Sequence, residues 1–161
     1  MLNFIRKMLS LFGAGILYAM LMIHWLKLVV LMKRIILFDG ECNLCNSSVQ
    51  FILKRDPNGK FHFTSLQGKI GQGLLKKHGQ EMAVNSFVLI EDEKLYLKSK
   101  AALRVCRQLN GLWKLFTIFQ VVPPFVRDFV YDIVAANRYK WFGRNESCLL
   151  PSSKWKDRFL E

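Results

Sequence analysis

Residues 34 to 45 have the sequence Arg34-Ile35-Ile36-Leu37-Phe38-Asp39-Gly40-Glu41-Cys42-Asn43-Leu44-Cys45. The run from Ile35 to Phe38 is short and continuously apolar, which is typical of a central strand covered on both faces. It stops at Asp39-Gly40, which favours a surface turn, and a helical pattern begins at the two cysteines. The start of a helix offers unpaired N–H groups and a partial positive charge, which lower the pKa of a nearby thiol. Cys42 and Cys45 are therefore candidate reactive groups.

The pattern after the cysteines predicts a right-handed βαβ unit. Apolar residues recur at helical spacing up to a turn cluster at residues 55–59, so a helix should join the first strand to a second. The second strand is predicted over Lys60 to Ser65, with Phe61 and Phe63 on one face. A short helix over Ile70 to His78 follows, weakened by its two glycines.

The second half of the chain predicts a hairpin and further helices. Phe87 to Ile90 and Leu95 to Leu97 are apolar-rich runs joined by a charged turn, which indicates an antiparallel hairpin. Ser99 is expected to cap a helix from Lys100 to about Leu109. Two more helical segments are expected to pack on the core: Leu112 to Phe119, and Phe125 to Asn137 after a break at Pro123-Pro124.

The predicted fold class is α/β, with the element order β-α-β-α-β-β-α of a thioredoxin-like core, a helical extension from about residue 112 and an apolar N-terminal helix. The chain resembles the DCC family of thiol-disulfide oxidoreductases, whose Asp, Cys, Cys signature corresponds to Asp39, Cys42 and Cys45. A second similar block covers Val130 to Gly143 and continues at Cys148 to Pro151. The resemblance implies a thioredoxin-like fold and a dithiol-disulfide exchange activity.

The helix start assigns different roles to the two sulfurs. We expect Cys42 to face solvent at the positive end of the helix and Cys45, one turn further in, to be shielded. Cys42 would then attack a protein or small-molecule disulfide, and Cys45 would resolve the mixed disulfide by attacking Cys42. The activity would need an electron donor but no cofactor beyond the cysteines.

Asp39 has two interpretations that the sequence leaves open. As a catalytic group it could shuttle the proton of Cys45, although its charge would raise the pKa of a neighbouring Cys42 thiol. As a structural group it could cap the helix or form an Asx turn, with Gly40 supplying the tight bend.

The other cysteines and the histidines suggest no second centre. A zinc-stabilised binding module is one alternative, but a structural zinc site usually needs two paired clusters of ligands, and only one pair is present. We therefore expect no metal; of the scattered candidates, Cys106 is expected in the core, and His62 and His78 are expected at the surface. Cys148 is expected as a packing residue, although the resemblance to the family's C-terminal block also allows a place near the dithiol. Arg138 and Tyr139 are expected to anchor the terminal helix. Thioredoxin-like enzymes usually have a cis-proline just before the third strand. This chain has no proline there, and Val84, Asn85 or Ser86 is expected at that position.

The first 31 residues differ from the rest. Met8 to Leu26 contains no Asp, Glu, Lys or Arg, and its length suits a membrane span of about 20 residues. It could anchor a membrane-associated interaction protein with an incidental dithiol, or Met32 could be the true start. Residues 32–161 would form the domain. The net charge of +12 is spread along the chain without a nucleic-acid motif, so we expect no nucleic acid partner. Unpaired thiols suit the reducing cytoplasm.

Overall fold

The computed structural model describes residues 34–80, 86–144 and 153–160. The predicted N-terminal helix, the membrane segment at residues 8–26, the boundary at residues 31 and 32, and Cys148, Val84 and Asn85 lie outside these ranges. The elements are β1 (Arg34–Phe38), α1 (Asn43–Arg55), β2 (Phe61–Ser65), α2 (Lys69–Lys77), β3 (Val88–Glu91), β4 (Lys94–Leu97), α3 (Lys98–Gln108), a 3₁₀ helix (Leu112–Val121), α4 (Pro124–Phe142) and a second 3₁₀ helix (Ser153–Arg158).

A mixed four-stranded sheet with the order β2-β1-β3-β4 forms the centre of this part of the chain. β2 runs parallel to β1, whereas β3 pairs antiparallel with both β1 and β4. Ile36, Leu37 and Phe38 of β1 are buried, which confirms the predicted central strand. The topology is consistent with the thioredoxin-like α/β fold predicted from the sequence.

The sheet carries a core on each face, because successive side chains of a strand point to opposite sides. One core contains Ile36 and Phe38 with side chains of α1 and α3, and Phe61 and Phe63 belong to it as predicted. The other contains Leu37 of β1 with Leu75 of α2. The alternation of β1 therefore requires helices on both faces of the sheet.

Two details of the chain were visible only in the structure. The turn between β3 and β4 consists of Asp92 and Glu93, with φ of 51° and 60°, so both adopt the left-handed conformation that a two-residue hairpin favours. A Cβ on Gly71 would lie 2.0 Å from the carbonyl oxygen of Ser65. That glycine, which weakens the α2 pattern in the sequence, is what lets the helix pack against the end of β2.

One sequence prediction for the second half is wrong and another holds only in part. Ser99 is not the cap of α3, because the helix begins at Lys98 with Leu97 in the cap position; its hydroxyl instead bonds the carboxylate of Asp128. The segment Leu112–Val121 packs on the core as expected, through Trp113, whose ring meets the Phe51 ring edge-on with 4.5 Å between the centroids. None of its residues is fully buried, however, and Leu112, Leu115 and Ile118 are exposed. Its apolar composition predicted more burial than the domain supplies.

No helix in the described ranges has both the length and the apolar character needed to cross a membrane.

Candidate active site

The two cysteines lie where β1 passes into α1. Cys42 is the N-cap residue of α1, and no acidic residue follows in the first turn. A side chain of α1 stabilises the turn before Cys42: the buried Asn46 donates from Nδ2 to the carbonyl oxygen of Gly40 at 3.0 Å. Cys42 thus lies at the positive end of the helix, and Cys45 lies one turn further in.

The predicted exposure of the two sulfurs is wrong, because Cys42 is 0% exposed whereas Cys45 is only half-buried. Cys45 contributes to the wall of an apolar cavity of about 450 Å³, together with Phe87, Cys106 and Tyr131 among other residues. Cys106 was expected in the core and is instead half-buried beside this cavity. The sulfur nearer the helix start is therefore the one shut off from solvent.

The cover over Cys42 comes from the end of α4. Residues 142–144, here called the cover segment, run beside the cysteine, and Arg144 forms an isolated antiparallel β-bridge with Cys42. The Asn43 side chain donates to the carbonyl oxygen of Phe142 at 3.0 Å, and the Arg144 guanidinium pairs with Glu41 at 2.6 Å. The segment that lies against Cys42 is therefore about 100 residues further along the chain, with sequence separations of 99 to 103 in these contacts.

The electrostatics distinguish the sulfurs. Burial raises the pKa of Cys45 to about 12, and the charge interaction and the hydrogen bond with the Cys42 side chain act in the same direction, whereas the nearby Arg138 acts in the opposite one. Cys45 therefore keeps its proton near neutral pH. The hydrogen bond shows that the two cysteine side chains are in contact.

Asp39 is a buried carboxylate with a donor on every side. Its Oδ1 accepts from the Gln67 side chain at 2.9 Å and from the backbone N–H of Glu41 at 3.0 Å. Its Oδ2 accepts from Arg138 at 2.7 Å and from the Tyr139 hydroxyl. The bond from Glu41, two residues further on, is the predicted Asx turn. The two bonds from α4 confirm that Arg138 and Tyr139 anchor that helix.

These contacts set the charge of Asp39. Burial by itself would raise the pKa of this carboxyl, but the hydrogen bonds from Tyr139, Gln67, Glu41 and Arg138 outweigh it and hold the pKa below its ordinary value. Asp39 is therefore a carboxylate at neutral pH, and its lone pairs are already engaged.

Sequence reasoning missed three polar residues near the dithiol. Gln67 follows β2 just as Asp39 follows β1. Because parallel strands end at the same edge of a sheet, the sequence could have predicted that these two side chains lie close together. Asn46 is a polar residue on the buried face of α1, which also indicates a specific partner. The Tyr131 hydroxyl accepts from the backbone N–H of Phe87 at 2.8 Å; no sequence pattern connects these two.

In the part of the chain that the structure describes, no three His, Cys, Asp or Glu side chains come together in a way that could hold a metal ion. His62 and His78, expected at the surface, are half-buried. The described cysteines Cys42, Cys45 and Cys106 are free thiols.

A mixed α/β domain with two free cysteines at the start of the helix after its first strand defines a dithiol protein, and its architecture is consistent with a thioredoxin-like fold. A family profile described as DCC1-like thiol-disulfide oxidoreductase matches residues 36–144, and the chain belongs to this family. It is 57% identical over 129 residues to the protein YuxK of Bacillus subtilis (strain 168), covering 80% of this chain and 94% of that one. It is 42% identical over 120 residues to a chloroplastic DCC family protein of Arabidopsis thaliana, covering 73% of this chain and 70% of that one. No solved structure matches the chain.

Proposed function

We propose that the protein exchanges a dithiol for a disulfide, with Cys42 as the attacking thiolate and Cys45 as the resolving thiol. The observation that carries this proposal is the place of the two free thiols: Cys42 is the N-cap residue of α1, and Cys45, which shares a hydrogen bond with it, lies one turn further in. The partial positive charge of the helix start favours a thiolate on Cys42, and the raised pKa of Cys45 suits a resolving thiol that keeps its proton until the second step. The roles thus follow from electrostatics and no longer from depth.

The exchange balances in two steps. The Cys42 thiolate attacks one sulfur of a substrate disulfide, a Cys42–substrate disulfide forms, and the second substrate sulfur leaves as a thiolate. Cys45 then attacks the Cys42 sulfur, which forms the Cys42–Cys45 bridge and expels the first substrate sulfur, and this leaving group takes the Cys45 proton. Two electrons pass from the protein to the substrate, and a reduced dithiol donor returns them.

Asp39 and Arg138 act on this sequence without touching the substrate. Asp39 is saturated with donors and stays charged, so we assign it as a positioning residue for Arg138 and discard the proton shuttle. The Arg138 charge opposes the rise in the pKa of Cys45, which eases the ionisation of Cys45 in the second step. The buried pair is thereby linked to the resolving thiol.

Access to Cys42 requires the cover segment to move. Its contacts with the helix start are one exposed ion pair, one side-chain hydrogen bond and one β-bridge. Surface contacts of this kind are weak, so the segment can separate from Cys42 while the Asp39–Arg138 pair continues to hold α4. The free thiols of the described residues suit a reducing compartment.

The test uses the full chain and its Cys42→Ser, Cys45→Ser and Cys106→Ser variants with insulin or a small aromatic disulfide as substrate. We expect Cys42→Ser to lose at least about 100-fold in rate, as removal of a nucleophile does, and Cys106→Ser to keep the wild-type rate. Cys45→Ser should accumulate a mixed disulfide on Cys42. A normal rate for Cys42→Ser, as an incidental dithiol would give, contradicts the proposal. A mixed disulfide that forms on Cys45 in the Cys42→Ser variant, at the rate seen on Cys42 in Cys45→Ser, also contradicts it.

A further inference from the structure

The largest unexplained feature is an apolar surface formed by the first 3₁₀ helix and the start of α4, residues 112–130, here called the apolar face. Its most exposed members are at least 66% exposed: Leu112, Leu115, Ile118, Val121, Phe125 and Phe129. Side chains three residues apart lie in one row on a 3₁₀ helix, so Leu112, Leu115, Ile118 and Val121 form an exposed apolar ridge. An exposed apolar patch marks an interaction surface. None of these residues belongs to the dithiol site.

Basic side chains border the apolar face. Lys114 lies within it, and together with Arg104 and Arg107 of α3 it contributes to a polar cavity of about 460 Å³, which Arg34 and Lys60 also line. Glu91 pairs with Arg34 and Arg104. Among the residues that the structure describes, Arg107 and Lys114 are in no ion pair, so the rim retains positive charge beside the apolar side chains.

The charge of the apolar face has one sign over most of its length. From Gly111 to Arg127 the sequence contains Lys114 and Arg127 but no Asp or Glu; the one acidic residue of the face, Asp128, accepts a hydrogen bond from Ser99. Aliphatic and aromatic side chains bordered by Lys and Arg are what an anionic lipid surface binds, since the apolar groups enter the headgroup boundary and the cations contact lipid phosphates. A second copy of the chain fits less well, because each carries a net charge of +12 and the two would repel.

We infer that the apolar face docks the protein on the surface of an anionic bilayer. The Leu112–Val121 helix and the first turns of α4 lie in the headgroup region, with Arg107 and Lys114 on the lipid phosphates. The inference does not depend on the dithiol chemistry. It differs from a spanning anchor, because this face lies in the plane of the membrane.

The same helix connects the docked face to the dithiol site. Phe125 belongs to the apolar face and Arg138 to the site, and both lie on α4, so the two are separated by about 20 Å along the helix axis at 1.5 Å per residue. Docking would therefore hold the dithiol within about one domain radius of the membrane, where disulfides of membrane proteins are within reach.

The first experiment measures binding of the full chain to vesicles of phosphatidylcholine, and to vesicles of phosphatidylcholine and phosphatidylglycerol in equal parts. We expect binding to the second composition and weak binding to the first. Ile118→Glu should weaken it at least ~10-fold, since a buried aliphatic group is lost and a repelled charge gained. Ile70→Glu, the same change at an exposed isoleucine outside the apolar face, should bind like wild type. Equal binding by the two variants contradicts the inference.

The second experiment identifies what covers the apolar face, using hydrogen exchange of the full chain with mass spectrometry. We expect residues 112–130 to become protected only when the anionic vesicles are added. Protection confined to residues 1–33 would assign membrane binding to the N-terminal segment and overturn the inference. Slow exchange of 112–130 before vesicles are added would mean that the chain itself or a second copy covers the face, and light scattering distinguishes these two.

Discussion

The two ends of α4 reverse the usual distribution of polarity in opposite ways. At its C-terminal end a charged side chain, Arg138, is buried against the carboxylate of Asp39. At its N-terminal end Phe125 and Phe129 are three-quarters and two-thirds exposed. Burying a charge and exposing apolar side chains both cost free energy, so each feature marks a place where folding alone does not explain the sequence.

The comparison separates two kinds of constraint on one helix. The Arg138 end depends on partners that lie within the domain: Asp39 after β1, Gln67 after β2 and the adjacent Tyr139. The Phe125 end has fewer such partners in the described ranges: Asp128 accepts a hydrogen bond from Ser99, but the phenylalanine side chains are exposed. Substitutions at the Arg138 end should therefore lower the free energy of unfolding strongly, and substitutions at the Phe125 end should change it little.

The largest effect on stability is expected from Asp39→Asn. The change leaves the buried Arg138 charge without its counter-ion, which costs about 3–5 kcal/mol in free energy of unfolding. The pKa of Asp39 is lowered in the fold, so its contribution is complete above the unfolded pKa of about 4 and is lost as the pH falls through the folded pKa. The gap between wild type and variant in urea unfolding should therefore be full at neutral pH and close in acid.

A matched control is available in Lys98→Gln, which breaks the exposed pair with Asp132 and should change stability by less than about 0.5 kcal/mol. If the gap between wild type and Asp39→Asn were the same at neutral and acid pH, the charge of Asp39 would not be the cause of the loss.

A pair of identical substitutions tests the apolar end. Leu109→Ala removes a leucine that is 1% exposed, and Leu115→Ala removes one that is 66% exposed. The first should cost about 2–5 kcal/mol, because it leaves a cavity, and the second less than about 0.5 kcal/mol. Thermal unfolding in the absence of lipid measures both. A large loss for Leu115→Ala would mean that another part of the protein already covers the apolar face.

The sequence predicts the features that depend on neighbouring residues and misses those that depend on distant segments of the chain. The central strand, the phenylalanine face of β2 and the dithiol at the helix start all follow from local periodicity and turn chemistry. The exposure of Cys42 does not, because the residues that cover it are about 100 positions further along the chain (residue separation 99 to 103). The exposure of the apolar face could not be predicted for the same reason. An apolar run predicts burial of its side chains, but only the tertiary structure shows which of them the domain covers.

The smallest effect is expected at the cover segment, which continues the polar end of α4 but is held only by contacts at the protein surface. Arg144→Gln removes the pair with Glu41, whose side chains are both exposed, so the segment should separate from Cys42 more often. We expect alkylation of Cys42 by iodoacetamide, followed by peptide mass spectrometry, to become about two- to fivefold faster, while Lys98→Gln leaves the rate unchanged. Equal rates in both variants would mean that Cys42 becomes accessible by another route, and that the residues after α4 are not what limits its reaction.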